Sequence, residues 1–263
     1  MHLKRLIVAV ILVPIFYFYV MLLPSEYFLF LLSFITVVGL GEFYAMFKVE
    51  GMLKYIGIFW GVVLLTVFFL AKQLYADALL LCVLTMMGVR LFLRRDPTSS
   101  CSDVSTAVLG LLYIPGLLMC QLSLAKAGPE WIILLYTSVW AADSMAYYVG
   151  KSIGRRKLYE EVSPNKTVAG AVGSLLGGII GAAVINAVLL HRISIYHMVI
   201  IGTAVGAATI VGDLVESMFK RDAGVKDSSR IIPGHGGVLD KIDGVTFAGP
   251  VFYWLCLGIG LFK

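Results

Sequence analysis

The sequence predicts an all-α, polytopic integral membrane protein with about nine transmembrane helices. Its 263 residues have a mean hydropathy of +0.93, with 60% apolar and only 14% charged residues. A chain of this composition has too few polar groups to cover a water-soluble surface. The apolar runs are continuous and do not alternate with polar residues, which excludes a transmembrane β-barrel.

Each apolar run is close to the roughly 20 residues that a helix needs to cross a bilayer. The first run is longer than the apolar region of a typical signal peptide, and no small-residue cleavage site follows it. We therefore expect it to be retained as the first span. The predicted spans are 6–23, 28–47, 54–71, 76–93, 106–124, 131–150, 168–190, 196–219 and 246–262.

The distribution of Lys and Arg predicts that the N-terminus is cytoplasmic. In this orientation, 17 of the 21 basic residues fall in cytoplasmic segments, as the positive-inside rule requires. The formal net charge of +5 is then concentrated on one face. Membrane topology explains most of this charge. A basic cytoplasmic face also suits anionic lipid headgroups or phosphorylated ligands. We expect a bacterial cytoplasmic membrane as the location and no nucleic-acid partner.

The chain divides by chemistry into N-terminal transmembrane helices, 1–130, and a C-terminal transmembrane region, 131–263. Glu42 is the exception in the first part, and partial exposure at the membrane interface is preferred there over a functional role. The second part holds almost all polar groupings. Its longer cytoplasmic segments, 151–167 and 220–245, are basic.

The eighth predicted span ends in IVGDLVESMFKRD. Asp213, Glu216, Ser217 and Lys220 are spaced i, i+3, i+4 and i+7, which places them on one helix face. Carboxylates inside an apolar span are costly and normally serve a cavity, a metal or a pathway. A structural ion pair of these carboxylates with Lys220 or Arg221 is the alternative.

The sixth predicted span ends in WAADSMAYYVGKSIGRRK, where Asp143, Tyr147 and Gly150 also share a face. Asp143 is a second intramembrane carboxylate near the same cytoplasmic side. It therefore favours one site shared by the sixth and eighth spans.

The segment KRDAGVKDSSRIIPGHGGVLDKIDG joins the eighth span to the ninth. Backbone N–H groups and basic side chains bind phosphates, and hard oxygen ligands bind Mg²⁺. These parts predict a site for a nucleoside triphosphate and a metal, although a solvated loop with Gly and Pro turns is the alternative. The segment contains Lys220, Arg221, Lys226, Arg230, His235, Gly236, Gly237, Asp240 and Asp243.

The segment SPNKTVAG, 163–170, precedes the seventh predicted span. Ser163 and Thr167 are candidate caps of that helix, with Pro164 in its first turn. Lys166 near a helix N-terminus would reinforce an anion site, and capping alone is the alternative.

The segment SMFKRDAGVKDSSRIIPGHGGVLDKID, 217–243, resembles the signature of phosphatidate cytidylyltransferases, also called CDP-diacylglycerol synthases. Two further segments, DSMAYYVGKSIGRRK and SPNKTVAG, are similar to other stretches of that family. The chain departs from the family pattern at Lys241, where Arg is usual, and at Ala169, where Glu is usual. The signature is matched by Ser217, Lys220, Arg221, Lys226, Asp227, Pro233, His235, Gly236, Gly237, Asp240 and Asp243.

The resemblance implies transfer of CMP from CTP to phosphatidic acid, which gives CDP-diacylglycerol and pyrophosphate in phospholipid biosynthesis. It also implies Mg²⁺, with a second cation left open, a lateral opening to lipid and a homodimer. Asp213 and Asp240 are our first candidates for metal ligands, followed by Glu216 and Asp243. The catalytic candidates are Asp213, Asp240, Lys220, Arg221 and His235, and the substrate-binding candidates are Lys166, Lys226, Arg230, Ser217, Gly236, Gly237 and Asp143.

Three other functions are compatible with parts of the sequence. An ion-coupled secondary transporter would use Asp143 and Asp213 as ion sites, but the charges crowd one face and no inverted repeat is visible. A CDP-alcohol phosphatidyltransferase is disfavoured because DGVTFAG at 243 lacks the Arg of its signature. A CTP-dependent lipid-alcohol kinase, which would transfer the γ-phosphate, is the nearest alternative.

Overall fold

The computed structural model describes residues 2–94, 96–229, 231 and 236–262, with side chains from residue 12 onward. A 3₁₀ turn, Lys72–Leu74, leads into the fourth helix, and a π-helical turn, Asn186–Leu190, follows the eighth. The helices are α1 (His2–Leu22), α2 (Ser25–Met46), α3 (Gly51–Leu70), α4 (Tyr75–Leu93), α5 (Ser100–Tyr113), α6 (Pro115–Ala127), α7 (Pro129–Ile153), α8 (Val168–Ile185), α9 (Ile195–Asp222) and α10 (Leu239–Gly258).

Within these ranges, 7 stretches are long and apolar enough to cross a membrane. The described side chains of α1 add a shorter apolar stretch, Leu12–Leu22. The predicted multi-pass helical architecture is therefore confirmed, while the count of nine spans stays a prediction for the first and last helices. The 7 stretches are Ser25–Met46, Gly51–Leu70, Lys72–Leu93, Ser100–Ala127, Pro129–Ile153, Val168–Leu190 and Ile195–Asp222.

One predicted span is made of two helices. The stretch 100–127 consists of α5 and α6, which meet at Ile114. Pro115 has no N–H to donate to the preceding turn, so the helix bends there. The bend was not predicted by the hydropathy of the run, which is continuous across it.

A short β-hairpin that was not predicted from the sequence lies between α7 and α8 in the otherwise helical fold. Strand β1 (Lys157–Tyr159) pairs antiparallel with strand β2 (Ser163–Thr167). Pro164 lies in β2 and not in a helix. Thr167 is the N-cap of α8 as predicted, because its Oγ1 accepts a hydrogen bond of 3.1 Å from the N–H of Gly170. Ser163 is a strand residue and caps nothing.

Helices α7, α8 and α9 pack closely, and α10 packs along α9. A Cβ atom on Gly202 of α9 would lie 2.4 Å from the Cα atom of Ile179 of α8. Nearby, the Ser174 hydroxyl donates a hydrogen bond of 3.1 Å to the carbonyl oxygen of Gly206. Helices in lipid associate through such close van der Waals packing and interhelical hydrogen bonds. The packing brings together the polar ends of α7, α8 and α9.

Candidate active site

A cleft of about 660 Å³ opens among α7, the hairpin, α8, α9 and α10. Its lining carries polar groups that are separated by up to a hundred residues in the chain. Apolar residues of α7, α8 and α9, among them Ala146, Ala171 and Ile210, also line the cleft. The predicted site residues that line it are Asp143, Lys166, Asp213, Asp240 and Asp243.

Three carboxylates from two helices converge in this region. Asp213, Glu216 and Asp243 each offer one oxygen atom, and these oxygens lie within 4.8 Å of one another. Gly212 permits the approach, because a Cβ atom there would lie 2.5 Å from the carbonyl oxygen of Asp243. The absence of a side chain at Gly212 thus lets α9 and α10 bring their carboxylates together.

The chemistry of this group fits a hard divalent cation. Glu216 is buried, and its Oε1 atom has no hydrogen-bond partner among the described residues. A buried oxygen without a partner is costly, and a bound cation would remove that cost. Carboxylate oxygens are the ligands that Mg²⁺ prefers. Asp213, Glu216 and Asp243 are therefore the residues that would hold a metal ion.

Lys220 connects this group to Asp240. Its Nζ atom lies 2.7 Å from Glu216 Oε2 and 2.6 Å from Asp240 Oδ1. The ion pair that the sequence left open as an alternative is therefore present. Asp240 Oδ2 accepts hydrogen bonds from the N–H groups of Gly237, at 2.7 Å, and Ser228, at 3.0 Å. Since donors occupy both oxygens of Asp240, its geometry suits a support for Lys220 and the loop better than a metal ligand.

Lys166 brings a second cation to the carboxylates. Its Nζ atom lies 2.6 Å from Asp213 Oδ2, and the Ser217 hydroxyl donates to Asp213 Oδ1 over 3.3 Å. Lys166 precedes the N-cap of α8, so the positive end of that helix dipole lies close by. Lys166, which precedes α8, and Lys220, which lies on α9, therefore each pair with one member of the three-carboxylate group.

Other predicted residues lie elsewhere. The Arg221 guanidinium donates to the carbonyl oxygens of Val162 and Val225, and so joins the end of α9 to the hairpin. Lys226 is exposed beyond α9. Gly236 has a φ of 84°, a backbone conformation that glycine adopts at little cost. His235 and Arg230 lie outside the described residues.

Glu42 was misjudged from the sequence. It is only 3% exposed, so the expected partial exposure at the membrane interface is wrong. Its carboxylate accepts hydrogen bonds from Ser229, in the middle of the segment that joins α9 to α10, and from Leu239 at the start of α10. The sequence did contain a signal for this role. A carboxylate within an apolar span is costly, and its presence therefore indicates a specific set of hydrogen-bond donors.

Comparison with known proteins gives the family. A sequence model of the cytidylyltransferase family matches residues 3–258. A phosphatidate cytidylyltransferase of Haemophilus influenzae is 46% identical over 125 residues, which cover 46% of this chain and 43% of that protein. One of Bacillus subtilis is 41% identical over 133 residues, covering 51% and 49%. One of Staphylococcus saprophyticus is 34% identical over 188 residues, covering 72% and 70%.

The aligned part of the chain thus spans about half the length of the first two relatives. The family match, by contrast, runs through nearly all of the chain and includes every helix that contributes to the cleft. The chain belongs to the cytidylyltransferase family.

Proposed function

We propose that this protein is a phosphatidate cytidylyltransferase, which transfers CMP from CTP to phosphatidic acid and releases pyrophosphate. The observation that carries the proposal is the group of Asp213, Glu216 and Asp243, which is paired with Lys166 and Lys220. Asp213, Asp243 and Lys166 of this set line the cleft. Three relatives that carry this name support it.

The reaction fits the charges of the cleft. A phosphate oxygen of phosphatidic acid attacks the α-phosphorus of CTP, the bond from that phosphorus to the bridging oxygen breaks, and pyrophosphate leaves. The attacking phosphate is already anionic at neutral pH, so the site needs no strong general base. Catalysis then consists mainly of positioning and neutralisation of charge.

Each part of the site has a task in this proposal. Asp213, Glu216 and Asp243 would hold Mg²⁺, which when bound neutralises phosphate charge. Lys166 and Lys220 are paired with carboxylates here and can turn towards phosphate oxygens when substrate enters. The apolar wall of the cleft suits the acyl chains of a diacyl lipid.

The remaining expectations belong to the same proposal. We place the site and the N-terminus on the cytoplasmic side of a bacterial membrane, because the basic residues crowd that side and CTP is found there. The homodimer rests on the family resemblance alone.

The test is the fate of each phosphorus atom. Purified protein in detergent is given Mg²⁺, phosphatidic acid and CTP labelled in either the α- or the γ-phosphate. We expect the α-label in the lipid and the γ-label in aqueous pyrophosphate, with both signals reduced in Asp240→Ala.

The opposite distribution would identify a lipid kinase, since the γ-label would then enter the lipid and the α-label would remain in CDP. If a monodisperse sample consumes no CTP, Ala169→Glu should restore turnover. Failure of that variant as well would contradict the proposed function.

A further inference from the structure

We propose that Glu42 is a positioning residue of the site: it ties the middle of the α9–α10 loop to the start of α10 and, through Ser228, orients Asp240. This inference assigns to the N-terminal half of the chain a part in the chemistry of the C-terminal half. Its kinetic consequences rest on the proposed function. The hydrogen bonds that tie the loop to Glu42, called here the Glu42 clamp, can be measured independently of that function.

The Glu42 carboxylate accepts four hydrogen bonds. Oε1 accepts from the Ser229 hydroxyl at 2.6 Å and the N–H of Val238 at 2.9 Å. Oε2 accepts from the Ser228 hydroxyl and the N–H of Leu239, both at 2.9 Å. One carboxylate therefore binds two serines in the middle of the loop and two N–H groups at the start of α10.

Two of these donors belong to the start of α10. The first N–H groups of a helix have no partner within the helix, and Val238 and Leu239 are the N-cap and first residue of α10. A carboxylate at a helix N-terminus satisfies such donors and interacts favourably with the helix dipole. Here the capping group comes from α2, 196 and 197 positions earlier in the chain.

Ser228 transmits this arrangement to Asp240. Its hydroxyl lies 2.9 Å from Glu42 Oε2 and 2.9 Å from Asp240 Oδ2, and its N–H donates to the same Asp240 oxygen at 3.0 Å. Asp240 in turn pairs with Lys220, which contacts Glu216 of the three-carboxylate group. A shift of the Glu42 carboxylate would therefore reach Glu216, a candidate metal ligand, through four successive contacts.

Gly237 packs closely against Ser228 and Glu42. A Cβ atom on Gly237 would lie 2.0 Å from the Ser228 hydroxyl oxygen and 2.5 Å from Glu42 Oε2. Both Glu42 oxygens face donors, so a Gln side chain would turn its NH₂ group against an N–H group. Glu42→Gln is therefore a nearly isosteric change that removes the clamp.

The experiment compares Glu42→Gln with Glu50→Gln, a control at an exposed carboxylate just before α3. We expect Glu42→Gln to lower kcat roughly ten- to hundredfold and to raise the Mg²⁺ concentration for half-maximal activity. Its melting temperature measured without Mg²⁺ should fall below that of Glu50→Gln, because buried N–H groups lose their acceptor, so kcat is measured on the folded, monodisperse fraction. A merely structural Glu42 would leave the kcat and the Mg²⁺ dependence of that folded fraction unchanged.

Ser228 and Ser229 provide a second comparison. It tests the proposal even if Glu42→Gln does not fold. Ser228 touches both Glu42 and Asp240, whereas Ser229 touches Glu42. We expect Ser228→Ala to change kcat and Mg²⁺ dependence more than Ser229→Ala. When Ser228→Ala is added to Glu42→Gln, it should lower kcat little further, because Glu42 acts on Asp240 through Ser228. Equal effects of the two serine variants would overturn the proposal.

Amide exchange separates this inference from the proposed function. The N–H groups of Val238 and Leu239 should exchange faster in Glu42→Gln than in Glu50→Gln, whether or not the protein turns over CTP. If exchange is faster in Glu42→Gln but the unsubstituted protein does not turn over CTP, the proposed function is contradicted and the Glu42 clamp is supported. Unchanged exchange together with normal kinetics would refute the clamp and keep the function.

Discussion

We expect Asp213→Asn to lower the rate of the proposed CMP transfer by on the order of 10³-fold, because it removes one charge from the group that would hold the metal ion. Asn has nearly the size of Asp, so the packing of α9 should persist. The same change leaves Lys166 without its carboxylate partner, at present 2.6 Å away. The measurement is the initial rate of label transfer from α-labelled CTP to lipid over a range of Mg²⁺ concentrations.

Asp222→Asn is the matched control, because Asp222 is exposed at the last residue of the same helix. It should keep the full rate and the ordinary Mg²⁺ dependence. An Asp213→Asn protein that is monodisperse and transfers CMP at the unsubstituted rate would remove Asp213 from the site. A loss that excess Mg²⁺ reverses would support the assignment as a metal ligand.

The second large effect concerns stability. We expect Gly202→Ala to destabilise the protein by about 2–3 kcal/mol, since a methyl group there would meet the backbone of α8 at Ile179. The backbone cannot rotate aside as a flexible side chain would, so α8 and α9 must separate. Thermal unfolding in detergent should show a melting temperature lower by roughly 5–10 °C.

Gly88→Ala tests whether the effect is specific to the contact. Gly88 lies within α4, and a Cβ atom there would meet nothing within 4 Å. Because Ala is the better helix former by about 1 kcal/mol, this variant should be as stable as the unsubstituted protein or more so. If both variants unfold alike, close packing of α8 on α9 is not what stabilises the bundle.

Helical spacing identified the part of the site that lies on one element. Asp213, Glu216 and Lys220 recur at intervals that share a helix face, and the structure joins Lys220 to Glu216 at 2.7 Å. The apolar runs likewise predicted most of the spans, because a span must be continuous and about 20 residues long. These are local properties, and a sequence displays them directly.

The sequence by itself thus determined that the chain is a multi-pass helical membrane protein and that its polar residues crowd the ends of a few helices. Only the tertiary structure decided how those residues are divided: Asp243 lies with Asp213 and Glu216, while Asp240 is occupied by Lys220 and the loop. It also decided the place of Glu42, whose partner Ser228 is 186 positions away. Periodicity reports only which neighbours along one helix share a face, and the contacts between helices depend on how closely their backbones approach.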